Sequence, residues 1–297
     1  MNSFIEDIKN QYKNGSVLIK LIAINIGIFL LLHVLGIFLW FFKIGNGTQT
    51  LAYWFSLPAS FSQIITKPWT IITYMFLHTE LMHILMNMLW LYFGGRIFIQ
   101  FLSEKKLLTT YLLGGFAGGV LYILAFNLFP VFDEIIGGSM ALGASASVMA
   151  VLIAAVTYVP NMVVRLFLFG EVKLKYIGLA SIVFFVLMGM QENPGGNIAH
   201  FGGALFGFIY AIQLKKGNDF ALGFSSFLAS LKSLFKPRSK MKVVYKKQRK
   251  TKTDAAYNEQ KVNNQKKIDA ILDKISKSGY DSLSKEEKAI LFDASKK

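Results

Sequence analysis

Six stretches of the chain are apolar for most of their length, at residues 17–41, 81–101, 107–128, 142–159, 174–190 and 197–214. Each approaches the roughly 17 to 25 residues that a helix needs to cross a bilayer. Residues 1–16 are polar, with Glu6, Asp7, Lys9 and Lys13. The first apolar run has no small-residue cleavage site after it, so it reads as an uncleaved signal anchor. Between the first and second runs, Phe42 to Glu80 is too long for a turn and is broken by Gly45, Gly47, Pro58 and Pro68. Its many aromatics suit an extramembrane or half-inserted loop at the interface. After the last run, Phe220, Phe224, Phe227, Leu228, Leu231, Leu234 and Phe235 fall on one helical stripe edged by Lys232 and Lys236. That spacing predicts a helix lying in the membrane interface over residues 219–236. From residue 263 onward an amphipathic run, a stop at Gly279 and a capping box of Ser284 and Glu287 predict a small helical hairpin.

Composition agrees with the pattern. Of 297 residues, 54% are hydrophobic and only 16% charged, with a mean hydropathy of +0.46, against about 25% charged in soluble domains. The fold class is therefore an all-α membrane protein, a bundle of six transmembrane helices followed by a small helical C-terminal tail. Its expected parts are a cytoplasmic segment (1–16), a six-span membrane domain (17–214), a basic amphipathic linker (215–262) and the hairpin (263–297).

Charge adds orientation. Lys9, Lys13 and Lys20, then Arg96, Lys105 and Lys106, then Arg165, Lys173 and Lys175 mark alternate loops as cytoplasmic. The opposite loops have only Lys43 and Lys67 beside Glu80, Asp133, Glu134 and Glu192. Both termini are expected in the cytoplasm. The net charge of +15 suggests a nucleic-acid binder until its location is considered. Residues 215–252 have 12 Lys/Arg against Asp219 alone and supply +11 of it. A basic block directly after the last span predicts attraction to anionic lipid, and no nucleic-acid partner is expected. With no cysteine, disulfides, thiolate metal sites and thiol nucleophiles are excluded.

Polar residues inside apolar spans are costly and mark function. His83 and Asn87 lie four apart on one face of span 2, while His78, five residues before His83, turns away and reads as a loop anchor. Span 4 opens with Gly143 and Ser145, and span 6 opens with His200. Spans 2, 4 and 6 all run inward, so these four groups share one depth near the outer boundary. A serine needs a base, and a neutral imidazole suits that role near pH 7. His200 can serve as base, with His83 and Asn87 donating to an oxyanion. Ala146, Ala150 and Ala154 on span 4 and Ala199, Gly203 and Gly207 on span 6 form small-xxx-small faces that let the two helices pack closely.

Five pieces appear in order: Pro68-Trp69, His78-x4-His83-x3-Asn87, Gly94-Gly95-Arg96, Gly143-x-Ser145, and Ala199-His200-x-x-Gly203-x-x-x-Gly207. On these the chain resembles the rhomboid intramembrane serine proteases over about residues 17–214. The resemblance implies a bundle of rhomboid type, Ser145 as nucleophile and His200 as general base and acid. It places His83, Asn87 and the Ser145 backbone N–H at the oxyanion. It also implies transmembrane protein substrates, no metal and no cofactor. A location in the inner membrane is expected, with the site opening to the outer, periplasmic side. The chain departs from the family at Thr70, where Arg is common, at Ala146, where a second Gly is common, and at Met149, where an aromatic often packs on the base. No carboxylate lies near either reacting residue in sequence, which favours a dyad over a triad.

The alternative within the same fold is an inactive rhomboid-like protein that binds and retains membrane clients, although such proteins usually lack the serine or the histidine. A transporter would show inverted repeats and charges at the midplane. A metallopeptidase would need clusters such as H-E-x-x-H, which His78-x4-His83 does not provide.

Overall fold

The structure is a computed structural model, and it describes residues 15–166, 170–187, 193–224, 226, 227, 230 and 254–295. Two compact units are present, residues 1–236 and 237–297.

In the first unit, α1 (Val17–Phe41) starts at a Ser16 cap whose side chain accepts from the Ile19 N–H. Its outer face carries Leu30, Leu31 and Phe38, all more than half exposed, as expected where lipid replaces water. The loop that follows is a set of short helices, α2 (Thr48–Phe55), α3 (Phe61–Thr66) and α4 (Thr70–Thr73), then a 3-10 turn Tyr74–Phe76. Next come α5 (Leu81–Phe101), α6 (Glu104–Leu128), α7 (Ser145–Tyr158), α8 (Leu174–Ile182, extended by a π-helical turn Val183–Leu187) and α9 (Pro194–Lys215). Helices α1, α5, α6 and α9 are long and apolar enough to cross a membrane, whereas α7 and α8 are shorter. At about 1.5 Å per residue, α7 spans roughly 21 Å. It can be short because it has no lipid to span: every residue from Ala146 to Val156 is buried by the surrounding helices.

Each of the six apolar runs contains a helix, four of them long and apolar enough to cross a membrane, with differences at their ends. Helix α6 begins at Glu104, three residues before the expected start, because the Ser103 side chain caps it by accepting from the Lys106 N–H. Two features were not expected from sequence. Leu57–Pro58 (β1) pairs with Met140–Ala141 (β2), and Val163–Leu166 (β3) pairs with Gly170–Lys173 (β4) in the connection between α7 and α8, both antiparallel.

Packing at the centre is set by glycine. A β-carbon at Gly203 would collide with the Ala146 carbonyl oxygen, and one at Gly207 with the Ala150 carbonyl oxygen. On α6, a β-carbon at Gly118 would lie 2.6 Å from the Ala199 carbonyl oxygen and 2.6 Å from Ala146 Cβ, and one at Gly114 would strike Ala150. Three helix backbones therefore meet at α7. The α7–α9 faces were legible as small-residue stripes, but the third partner, α6, was not identified.

Asp219, the lone acid of the basic block, is partly buried just past α9. It pairs with Lys106 and accepts from the Tyr210 hydroxyl at 3.0 Å. Phe220 leans edge-on against Phe206 and Tyr210 of α9. Half of the interface helix expected over 219–236, including all of 231–236, lies outside the described residues. In the second unit, α10 (Asp254–Ser278) starts nine residues before the expected hairpin. Gly279 (φ 75°) stops it, and α11 (Lys285–Ser295) follows. The capping box forms as read: the Ser284 N–H donates to Glu287 at 2.7 Å, and the Glu287 N–H donates to Ser284 Oγ at 3.2 Å. Lys274 joins the helices by donating to both Glu287 oxygens at 3.0 and 2.9 Å.

The glycine contacts predict an asymmetry. Gly203→Ala must push α7 and α9 apart and should cost about 1–3 kcal/mol. Gly27→Ala on α1 meets nothing within 4 Å and should leave stability unchanged or slightly raised. Unfolding of both variants in detergent checks this, and equal behaviour would contradict the packing account.

Candidate active site

The turn before α7 is held from three sides. Gly143 has φ +117°, and a β-carbon there would lie 2.7 Å from His83 Cε1. Only glycine meets both conditions, because L side chains avoid that backbone region and the imidazole occupies the space. The Gly143 N–H donates to the Tyr74 carbonyl at 2.9 Å. The Ala144 N–H donates to His78 Nε2 at 3.3 Å. Ser145 follows as the first residue of α7, where a backbone N–H has no partner within its own helix.

His83 and Asn87 stand one turn apart on α5. The Asn87 side-chain amide donates to the His83 carbonyl at 2.9 Å and has a second N–H to offer. His200 is in the second turn of α9, whose start is fixed by Pro194 and by the Asn193 side chain accepting from the Gly196 N–H at 2.9 Å. The His200 Nδ1 lies 2.7 Å from the Phe185 carbonyl oxygen. A carbonyl can only accept, so Nδ1 is the protonated nitrogen, and in the neutral ring the lone pair is on Nε2.

Ser145, His200, His83 and Asn87 line one cavity of about 100 Å³. The rest of its wall is apolar: Met86 and Trp90 from α5, Val148, Met149 and Leu152 from α7, and Phe185 from the π-helical turn after α8. Among the described residues no hydrogen bond joins Ser145 Oγ to the His200 ring. Among the described residues, no three of His, Cys, Asp and Glu gather as metal ligands.

His78 lies outside the cavity, fully buried, with its ring edge-on to His83 at 5.1 Å. His33 is also elsewhere, with its ring nitrogens 2.8 Å from the Phe29 carbonyl and 3.2 Å from the Thr79 carbonyl. Sequence reading missed Trp90 and Phe185, since neither carries a polar or small-residue signal within its apolar run.

The three departures from the family pattern each have a local arrangement. Thr70 is buried and donates to the Lys67 carbonyl at 2.6 Å. The Lys67 ammonium sits 3.2 Å from the centre of the Tyr53 ring, supplying a cation to the loop three residues earlier. Trp69 Nε1 donates to the Trp54 carbonyl at 2.9 Å. Ala146 faces Gly118 and Gly203. Met149 packs with Ile153 and Ala204, against Ile182 and Phe185.

The rhomboid domain model matches residues 66–217, and a family of unknown function, DUF6576, matches residues 251–297. The rhomboid protease GlpG of Serratia proteamaculans (strain 568) is 27% identical over 117 residues, which is 39% of this chain and 37% of that protein. The mitochondrial RHOMBOID-like protein 12 of Arabidopsis thaliana is 28% identical over 157 residues, 50% of this chain and 47% of that protein. The chain spans less than half the length of either curated relative.

His78 makes the turn sensitive to pH. Burial, and secondarily the neighbouring His83, push it from 6.5 down to about 4. A proton on Nε2 would both charge a buried ring and remove the acceptor for the Ala144 N–H. Because the folded value lies below the unfolded one, the contribution of His78 to stability is complete above about pH 6.5 and is lost as pH falls toward about 4. Melting in detergent between pH 7 and pH 4 tests this. His78→Leu should melt lower at pH 7 and show a flatter pH dependence across that window, and an unchanged slope would contradict the assignment.

Proposed function

The chain belongs to the rhomboid family, and from that premise we propose that it is an intramembrane serine endopeptidase working through a Ser145–His200 dyad. One observation carries this reading: Ser145, His200, His83 and Asn87, drawn from three helices, line the same small cavity. The Ser145 hydroxyl attacks the scissile carbonyl as His200 Nε2 takes its proton, forming the Oγ–carbon bond and a tetrahedral oxyanion. That oxyanion receives the Ser145 backbone N–H, the free Asn87 amide hydrogen and His83. His200 then gives its proton to the leaving amine, and water repeats the sequence on the acyl-enzyme.

The substrates of this reading are membrane proteins cleaved in or near a transmembrane segment, admitted locally unwound because the cavity is too small for an intact helix. The chain is a multi-pass membrane protein; we place it in the inner membrane with both termini cytoplasmic and the site opening to the outer face. The +11 block over 215–252 then rests on anionic lipid headgroups. The hairpin belongs to a separate compact unit and supplies none of the proposed reacting residues. Retention of clients without cleavage is the competing reading, and it shares the fold but not the dependence on Ser145.

Cleavage rates of a model single-span substrate in reconstituted bilayers, with binding followed separately, discriminate the two. Ser145→Ala and His200→Ala should each abolish the same step, and the double variant should cost little more than either. Asn87→Ala should lower turnover about 10²-fold to 10³-fold, since it removes one oxyanion donor. Full activity in Ser145→Ala would end the protease reading, and binding without cleavage by the unmutated protein would favour retention.

A further inference from the structure

The proposed dyad has no carboxylate to orient its base, and the position one turn after the serine is Met149 instead of a ring. The geometry points to another device: we propose that Phe185 is the positioning residue for His200, with its main-chain carbonyl fixing the imidazole tautomer and its ring packing at right angles to the imidazole. This rests on the protease reading and adds to it the group that makes the base usable.

Three observations converge. The first is the 2.7 Å contact from His200 Nδ1 to the Phe185 carbonyl. The proton must be on Nδ1 there, which leaves the basic lone pair on Nε2, the nitrogen available to the cavity. In a serine–histidine–aspartate site a carboxylate performs this selection; here a neutral peptide oxygen does. The second is backbone form. Phe185 is at the centre of the π-helical turn Val183–Leu187, the kind of irregularity that interrupts the i to i+4 ladder and recurs at functional sites. A carbonyl outside a regular ladder can turn its oxygen toward an external donor without breaking a helix bond. The third is the aromatic setting. The Phe185 ring meets His200 at 6.2 Å and 89° and Trp90 at 5.6 Å and 90°. It is therefore held between α5 and α9, while Met149 and Ile182 pack in the same cluster. Met149 fills volume beside Phe185, so the missing aromatic on α7 is replaced by one from the turn after α8.

The assignment separates carbonyl from ring, and the test uses that. Replacing Val186 by its α-hydroxy analogue turns the Phe185–Val186 amide into an ester, whose carbonyl is a weaker acceptor, and leaves the Phe185 ring intact. A matched ester at Ala180 controls for the lost N–H. The full-length protein, labelled with ¹⁵N-histidine in detergent micelles and assigned against His200→Asn, should show His200 as the Nδ1–H tautomer. The Val186 ester should show a tautomer mixture, with turnover down about 10-fold to 100-fold and KM within about twofold, while the Ala180 ester stays near the unmodified values. Phe185→Tyr should retain turnover, and Phe185→Leu should lose less than the ester. An Nε2–H tautomer in the unmodified protein, or full turnover with an unchanged tautomer in the Val186 ester, would overturn the proposal. The tautomer measurement needs no cleavage, so it decides the role of Phe185 even if Ser145→Ala shows the protease reading to be wrong.

Discussion

Direct contact between helix backbones at α7 is the constraint on which the rest of this structure depends. In lipid the apolar side chains gain nothing by leaving solvent for each other, so helices associate through close van der Waals packing and buried hydrogen bonds. Here Gly203 and Gly207 press on the carbonyls of Ala146 and Ala150, and Gly114 and Gly118 close the same helix from the side of α6. Gly94 of α5 brings its backbone near Leu152, where a β-carbon would lie 3.2 Å from Cα. The side chains that face the cavity from α5, α7 and α9 thus stand on helices whose spacing is fixed by contact between main chains. A methyl group added at Gly203 or Gly207 would meet a carbonyl oxygen of α7, so the two helices would have to shift to admit it.

A second system of bonds ties the loop before α5 to the turn before α7. Asn25, buried on α1, donates to the Tyr111 hydroxyl of α6 at 3.1 Å, and Tyr111 donates to the Met75 carbonyl at 2.9 Å. The neighbouring Tyr74 hydroxyl donates to the Gly115 carbonyl. From this anchored strip come both supports of the turn, the Tyr74 carbonyl for Gly143 and His78 for Ala144. The polar groups buried in this strip hold a backbone whose next residue, Ser145, opens α7.

The sequence showed most clearly what depends on period and charge. The ends of α1 and α5 could be read from where apolar runs stop, and Ser284 with Glu287 announced the cap of α11 through their spacing alone. His83, Asn87, Ser145 and His200 stood out because polar groups are rare inside apolar helices, and the structure brings all four to one cavity. What stayed hidden depends on contacts between distant elements. The role of Gly114 and Gly118 needs α7 and α9 in place before it can be seen, since glycine is common in membrane helices. Phe185 looks like any apolar residue in its run, and the property that matters is the direction of its carbonyl. Thr70 stands where Arg is common in the family, and the cation that Lys67, three residues away, places over the Tyr53 ring depends on the folded loop. The early start of α10 at Asp254 lies in a polar stretch whose helicity has no apolar period to reveal it.

The central claim is that Ser145 is a nucleophile activated by His200 inside this cavity. The most direct measurement is the intact mass and peptide map of the purified protein after treatment with a serine-reactive fluorophosphonate in detergent. The account predicts one adduct, on Ser145, that disappears in His200→Asn although that variant remains folded. An adduct on another serine, or labelling of Ser145 that persists at full rate without His200, would contradict it.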